Sequence, residues 1–178
     1  KLILMNFLKY TLPNHPYKIV ANIPFNQTRK ILEKIITVKN TPEIISLVLQ
    51  AEVGEKICRL EGEHTMLSAY IQNFYEPKII KSFHRTDYLP MAHVDTVAVL
   101  MAFKKNTPDI NKPDFFQFIE TAFEYPGQPL KNRLKKHFTH NQLKKISANL
   151  KINLESFPHT LFSEQWLDLF KLHQRLKV

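Results

Sequence analysis

The run from residue 17 to residue 53 constrains the fold most. "YKIVANI", residues 17–23, is short, apolar and β-branched, the composition of a buried strand. "TRKILEKIITV" follows and sets Ile31, Leu32, Ile35 and Ile36 on one helical face. "EIISLVLQAEV" then reads as a second buried strand that runs into another helix. Strand, helix, strand in so short a length is a βαβ unit, which implies a parallel sheet.

The pattern continues for another fifty residues. "MLSAYIQNFY" is helical in character, and "EPKIIKSF" and "HVDTVAVLMAF" read as further strands. In the last, Val97, Val99, Met101 and Phe103 alternate with Thr96, Ala98, Leu100 and Ala102. Both sets are mainly apolar, so both faces of that strand are expected to be covered. "KKNTPDINKP", residues 104–113, is polar and carries two prolines, and it marks a boundary. Beyond it the periods are helical. Phe115, Phe116, Ile119, Ala122 and Phe123 form one stripe, with Pro113 suited to a first turn. Thr139 and Gln142 have capping-box spacing ahead of Leu143, Ile146 and Leu150, and Trp166, Leu169, Phe170 and His173 mark a last helix. The chain is therefore expected to hold an α/β part over residues 1–105 and an all-helical part over 106–178.

Composition narrows the function. With 44% hydrophobic and 23% charged residues the chain should fold. Its one cysteine, Cys58, excludes an internal disulfide and a Cys-rich zinc site, and it fits a reducing, cytoplasmic setting. No metal site is expected, because His93 has no Cys or His partner at ligand spacing. No apolar run reaches the roughly 18 residues that span a bilayer, so no membrane partner is expected, and a monomer is. The opening "KLILMNFLKY" reads like the inside of a domain, so the chain is expected to begin partway through a fold.

The formal net charge is +9, and it is concentrated. From Pro126 to Asn153 there is no Asp or Glu, while Lys131, Arg133, Lys135, Lys136, Lys144, Lys145 and Lys151 all fall there. One basic helix is ordinarily a solvated face. An acid-free stretch of this length favours a phosphate backbone, which rewards clustered cations through counterion release.

"ANIPFNQTRKIL", residues 21–32, places Asn22-Ile23-Pro24-Phe25 directly after the first strand. Ligands of open α/β sheets sit beyond the carboxyl ends of strands. An amide, a carbonyl at a proline and an aromatic ring suit an exocyclic amine and the flat ring that bears it. Read singly, Asn22 and Pro24 shape a turn, Phe25 belongs to the core and Tyr88 is a strand-edge aromatic.

The four residues match the Asn-(Ile/Leu)-Pro-(Tyr/Phe) motif of the S-adenosylmethionine-dependent rRNA adenine N6-methyltransferases, which the chain resembles. That family includes the housekeeping small-subunit dimethyltransferases and the Erm-type enzymes of macrolide resistance. Other segments fall in the family's order: "LVLQAEVGEKI" with Gln50 and Glu52, "MLSAYIQNFYEPKIIKSF" with Leu67, Ser68 and Gln72, "DYLPMAHVDTVAVL", and "PHTLFSEQWLDLF". Together they cover nearly the whole chain. The stretch "YPGQPLKNRLKKHFTHNQLKKISANLKIN" looks more like the Erm-type tail than the housekeeping one, which usually carries Gln-Arg-Arg-Lys here.

The resemblance implies a fold, a chemistry and roles. The fold would be the later strands of a Rossmann-like class I methyltransferase sheet followed by a small helical RNA-binding domain. The activity would be methyl transfer from S-adenosylmethionine to an adenine of rRNA. On the Erm-type reading the target is large-subunit (23S) rRNA and the consequence is resistance to macrolide, lincosamide and streptogramin B antibiotics. On the housekeeping reading it is small-subunit (16S) rRNA. A non-catalytic RNA-binding relic is the alternative outside catalysis. Asn22 and the Pro24 carbonyl would accept from the adenine amine, and Phe25 and Tyr88 would stack on the ring. Asn6 and Asn22 would lie at the cofactor, and the basic cluster would face RNA. Glu52 and Gln72 are expected to be structural.

The departures are specific. Asn6 stands where the family usually has an Asp, and Met91, Ala92 and His93 replace the usual Pro, Pro and basic residue. The family's Gly-rich cofactor loop and its ribose-binding acid would precede the matched region, so the natural protein is expected to be longer.

Overall fold

The computed structural model describes residues 2–176. In chain order the elements are β1 (Lys18–Asn22), α1 (Thr28–Thr37), β2 (Ile44–Gln50), α2 (Ala51–Cys58), α3 (Met66–Phe74), β3 (Tyr75–Phe83), β4 (Thr96–Phe103), α4 (Lys112–Phe123), α5 (Leu130–Leu134), α6 (His140–Leu150) and α7 (Ser163–Leu176). Among the described residues, no helix is long and apolar enough to cross a membrane.

The chain forms two compact units. Among the described residues, one holds 2–58 and 74–106, the other 59–73 and 107–176. Segment 59–73, which the sequence pattern puts ahead of the boundary, thus belongs with the helices.

The α/β unit carries a four-stranded sheet in the order β1-β2-β4-β3. β1 and β2 run parallel, as a βαβ unit requires, with Asn22 opposite Val48. β4 is antiparallel to both β2 and β3, so the parallel arrangement expected of the sheet holds for one pair only. The reason lies in the connections. β3 turns back into β4 through a loop on one edge, with no crossover helix to restore direction.

The apolar alternation of β2 and β4 is realised as burial: Ile45, Leu47, Leu49, Val97, Val99 and Met101 are all nearly inaccessible. The α1 stripe of Ile31, Leu32, Ile35 and Ile36 is buried as its spacing predicts. β1 is different. The sequence pattern predicts a buried strand, whereas in this chain β1 lies at the sheet edge and Val20 is 82% exposed.

α2 lies close against β4. A Cβ added at Gly54 would stand 2.3 Å from Val97 Cγ2, so only a hydrogen fits there. The N-terminal segment is fastened to α1 by Lys34, whose ammonium donates to Leu8 O at 2.8 Å and Tyr10 O at 2.6 Å.

The helical unit is built on aromatic packing. Tyr70 of α3 meets Phe115 and Phe116 of α4 at centroid separations of 5.5 and 5.3 Å. Phe118 and Phe123 pack on the fully buried Trp166 of α7. α4 begins with Asn111 capping the Asp114 N–H and Pro113 in its first turn. α6 opens on the expected Thr139–Gln142 capping box and closes on Lys151 at φ 52°, a left-handed residue that is not glycine.

Candidate active site and nucleic-acid face

β1 ends at Asn22, which is exposed, and Ile23 is buried behind it. Pro24 then leads a single 3₁₀ turn, Phe25–Gln27, that feeds α1. The Gln27 N–H donates to the Pro24 carbonyl at 2.9 Å and so closes the turn. A carbonyl oxygen has two lone pairs, so one acceptor position remains. Phe25 is half-buried. Proline fixes the backbone of this turn, and a buried isoleucine anchors it from below.

The register shows what shares that end of the sheet. Asn22 pairs with Val48 near the end of β2, and Gln50 pairs with Thr96, the first residue of β4. Thr96 also pairs with Phe83, the last residue of β3. Tyr88 is tied to this point, because its phenol oxygen is 2.5 Å from Thr96 Oγ1 and its ring meets Phe83 edge-on at 6.4 Å. The sheet therefore brings Asn22, Pro24, Phe25 and Tyr88 to its one carboxyl end.

The loop carrying Tyr88 is knitted by its own polar groups. The Asp95 carboxylate accepts from the Arg85 N–H at 2.8 Å, and the Asp87 carboxylate accepts from the His84 N–H at 2.9 Å. The Ala92 N–H donates to the Arg85 carbonyl at 3.0 Å. Asp95 and Thr96 are site residues that the sequence motifs do not single out. Their hydroxyl and carboxylate chemistry beside the aromatic was the available signal. His93 is exposed, and no cluster of metal-ligating side chains occurs among the described residues.

Asn6 lies in the N-terminal segment, where its Oδ1 caps a short 3₁₀ turn by accepting from the Leu8 N–H at 2.9 Å. Glu52 is an exposed helix residue paired with Lys56 at 2.6 Å, a contact that holds its carboxyl below the usual range. Gln72 is buried in the helical unit and donates to the Arg59 carbonyl at 2.7 Å. Cys58 is half-buried, and burial pushes its thiol up to about 11, so it is an unreactive thiol at neutral pH.

The basic stretch divides into exposed, paired and buried cations. Lys135, Lys144, Lys145 and Lys151 are exposed and have no ion-pair partner among the described residues. Lys131 pairs with Glu155 at 2.7 Å, and Lys136 lies 3.6 Å from Glu124. Arg133 does not reach the surface. It is 4% exposed, and its guanidinium donates to the carbonyls of Ala122 and Thr121 and to the Glu124 carboxylate. The physical reason is its place on α5: it shares the inward face with Leu130 and Leu134, so it points into the unit. That three- and four-residue spacing was the signal that could have separated it from the lysines.

This sheet, with an Asn-Ile-Pro-Phe turn at its carboxyl end, is that of a Rossmann-like class I methyltransferase. Two solved structures share the fold. The 23S rRNA methyltransferase ErmE superposes with a TM-score of 0.73 at 19% identity, covering 95% of this chain and 70% of that one. A dimethyladenosine transferase from Plasmodium falciparum gives 0.74 at 17%, covering 98% and 72%. Residues 1–175 match the ribosomal RNA adenine dimethylase family, and the chain belongs to that family. Among curated relatives, the ribosomal RNA small subunit methyltransferase A of Fusobacterium nucleatum is 26% identical over 166 residues, 90% of this chain and 63% of the relative. The enzyme of the same name from Thermotoga neapolitana is 35% identical over 118 residues, 65% of this chain and 44% of the relative. The chain spans 63, 56 and 55% of the length of the first three curated relatives.

Proposed function

We propose that this chain supplies the adenine-holding site and an RNA-facing surface of an rRNA adenine N6-methyltransferase. One observation carries the reading: Asn22-Ile23-Pro24-Phe25 closes β1 at the sheet end where Tyr88 is held by Thr96. The Asn22 amide oxygen and the open lone pair of the Pro24 carbonyl accept the two N–H bonds of the adenine amine. Phe25 and Tyr88 wall the ring, which fixes the extruded base in one plane. Holding both N–H bonds turns the nitrogen lone pair away from the ring and toward the methyl donor. The amine loses its proton during or after transfer, so the chain's task is positioning rather than strong-base catalysis.

S-adenosylmethionine is the proposed donor, and it supplies an electrophilic methyl on a sulfonium. The described residues do not form a complete cradle for it. Gly54 is inside α2, Gly62 is in the loop before α3, and Gly127 is in the turn before α5, so none stands at a strand-to-helix turn. Asn6 is the residue proposed to approach the donor, through the amide nitrogen that its capping bond leaves available.

The RNA is proposed to lie on Lys135, Lys144, Lys145 and Lys151, with Lys131 and Lys136 at the margin. Arg133 is left out because its guanidinium is spent inside the unit. The small subunit is the favoured source of the target adenine, since the relatives are named for it. The tail without a Gln-Arg-Arg-Lys stretch favours the second reading, a large-subunit target with antibiotic resistance.

The test is methylation of purified small- and large-subunit rRNA by the full-length protein, with the modified nucleotide mapped by mass spectrometry. Methyladenine in small-subunit rRNA is expected, falling by about 100-fold or more in Asn22→Ala. Methylation of large-subunit rRNA alone, with raised macrolide tolerance, would establish the second reading. RNA binding without methylation of either would leave a non-catalytic binder.

A further inference from the structure

Two aromatic rings of the helical unit stand at the two margins of the basic stretch, and each is already backed on one face. Tyr125 is 52% exposed, with the Arg133 guanidinium carbon 4.7 Å from its ring centroid. That guanidinium is itself fixed by the carbonyls of Ala122 and Thr121 and by Glu124. Phe157 is 39% exposed and stacks on His159 at 5.6 Å with 11° between the planes. His159 is steadied in turn by Glu63, 3.6 Å away.

The two rings flank the start of α5. The Leu130 N–H donates to the Ser156 carbonyl and the Lys131 N–H to the Leu154 carbonyl, at 2.8 and 2.9 Å, which ties the Phe157 segment to that helix. On the other side the Gln128 N–H donates to the Tyr125 carbonyl at 3.0 Å. The nearby acids, Glu124 and Glu155, are neutralised by Arg133, Lys136 and Lys131. Scattered exposed aromatics are ordinary. Two rings, each held from behind by a fixed planar group at the margins of the basic stretch, make preformed stacking surfaces.

We propose that Tyr125 and Phe157 are base-stacking platforms for unpaired nucleotides of RNA, with Arg133 and His159 as their positioning residues. The proposal rests on the RNA reading above and deepens it. A duplex hides its base faces, so the partner is single-stranded. Every base has a π-face, so the contact tolerates sequence, and the neighbouring lysines hold the backbone.

The experiment is fluorescence anisotropy of the full-length protein with a labelled 12-nucleotide oligouridylate and with a 12-base-pair RNA duplex, across a salt series. Tyr125→Leu and Phe157→Leu are each expected to weaken oligouridylate binding by about 5- to 150-fold without changing the salt slope. Tyr125→Phe and Phe157→Tyr keep a ring and should retain affinity. Lys144→Ala/Lys145→Ala should instead flatten the slope by about 1.4. Leucine variants within twofold of the parent, with the lysine variant weakened, overturn the platforms and leave the RNA reading standing. Equal losses on duplex and single strand overturn base stacking. No binding by the full-length parent at low salt overturns both readings. Melting curves of each variant guard against loss of fold.

Discussion

Gly54→Ala isolates the contact that sets α2 against β4. In an open helix the change would gain about 1 kcal/mol from backbone propensity. Here the new Cβ would meet Val97 Cγ2 at 2.3 Å and Val99 Cγ2 at 3.0 Å, where carbon atoms prefer about 3.5–4.0 Å. Val97 is 2% exposed and β-branched, so its rotamer has little freedom to yield. Overpacking costs about 1–3 kcal/mol, and an overlap this deep belongs at the upper end. The net expectation is about 1–2 kcal/mol of destabilisation, or about 2–8 °C in melting temperature for a chain of this size. Val97→Ala removes the obstructing methyl. In a double-mutant cycle the pair should be less destabilised than the sum of the singles by about 1 kcal/mol or more. Thermal and urea melts supply all four corners. A stabilising Gly54→Ala, or a coupling within about 0.5 kcal/mol of zero, would refute the close-approach argument. The contact also bears on the site, because Val97 follows Thr96, the residue that holds Tyr88.

Other substitutions separate stability from function. Tyr88→Phe should lose about 1 kcal/mol with its Thr96 hydrogen bond yet keep adenine affinity, since the ring remains; a full-length methylation assay beside a urea melt reads both. Arg133→Met leaves two buried carbonyls without their donor and should cost about 2–3 kcal/mol in the same melt, whereas Lys144→Ala should stay within about 0.5 kcal/mol. Lys151→Gly relieves the left-handed backbone and should stabilise by about 1 kcal/mol, visible as a raised melting temperature. His64 is buried with neither ring nitrogen hydrogen-bonded, and burial holds its pKa below the ordinary value of about 6.5. The unfolded chain therefore binds the proton first, and stability falls as pH drops below that value. Melting points from pH 7.5 to 5.5 should fall less steeply in His64→Phe than in the parent.

Much of this was legible in the residues. Apolar alternation located β2 and β4, and helical stripes located α1, α4, α6 and α7, because burial on one face leaves a period in the sequence. The order of Asn22, Pro24, Phe25 and Tyr88 was legible, and the sheet brings them to one end. Three things were not. The exposure of Val20 depends on which strands lie beside β1, and no local period encodes that. The antiparallel course of β4 depends on a return from β3 that has no crossover helix. Arg133 carries the same charge as its neighbours, and only its register with Leu130 and Leu134 distinguishes an internal strut from a surface cation.

The placement of α3 has a consequence in time. Its residues to Asn73 belong to the helical unit, but the chain leaves for β3 and completes the sheet before the remaining helices follow. The Asn73 amide donates to the Ser163 carbonyl, ninety residues downstream. At about 5–20 residues per second of synthesis, α3 waits roughly 5–18 s for that partner. For about the first half of that interval Tyr70 also lacks Phe115 and Phe116, the rings it packs on. A nascent chain must therefore shelter its first helical piece until its last is made, and no single cut can release either unit whole.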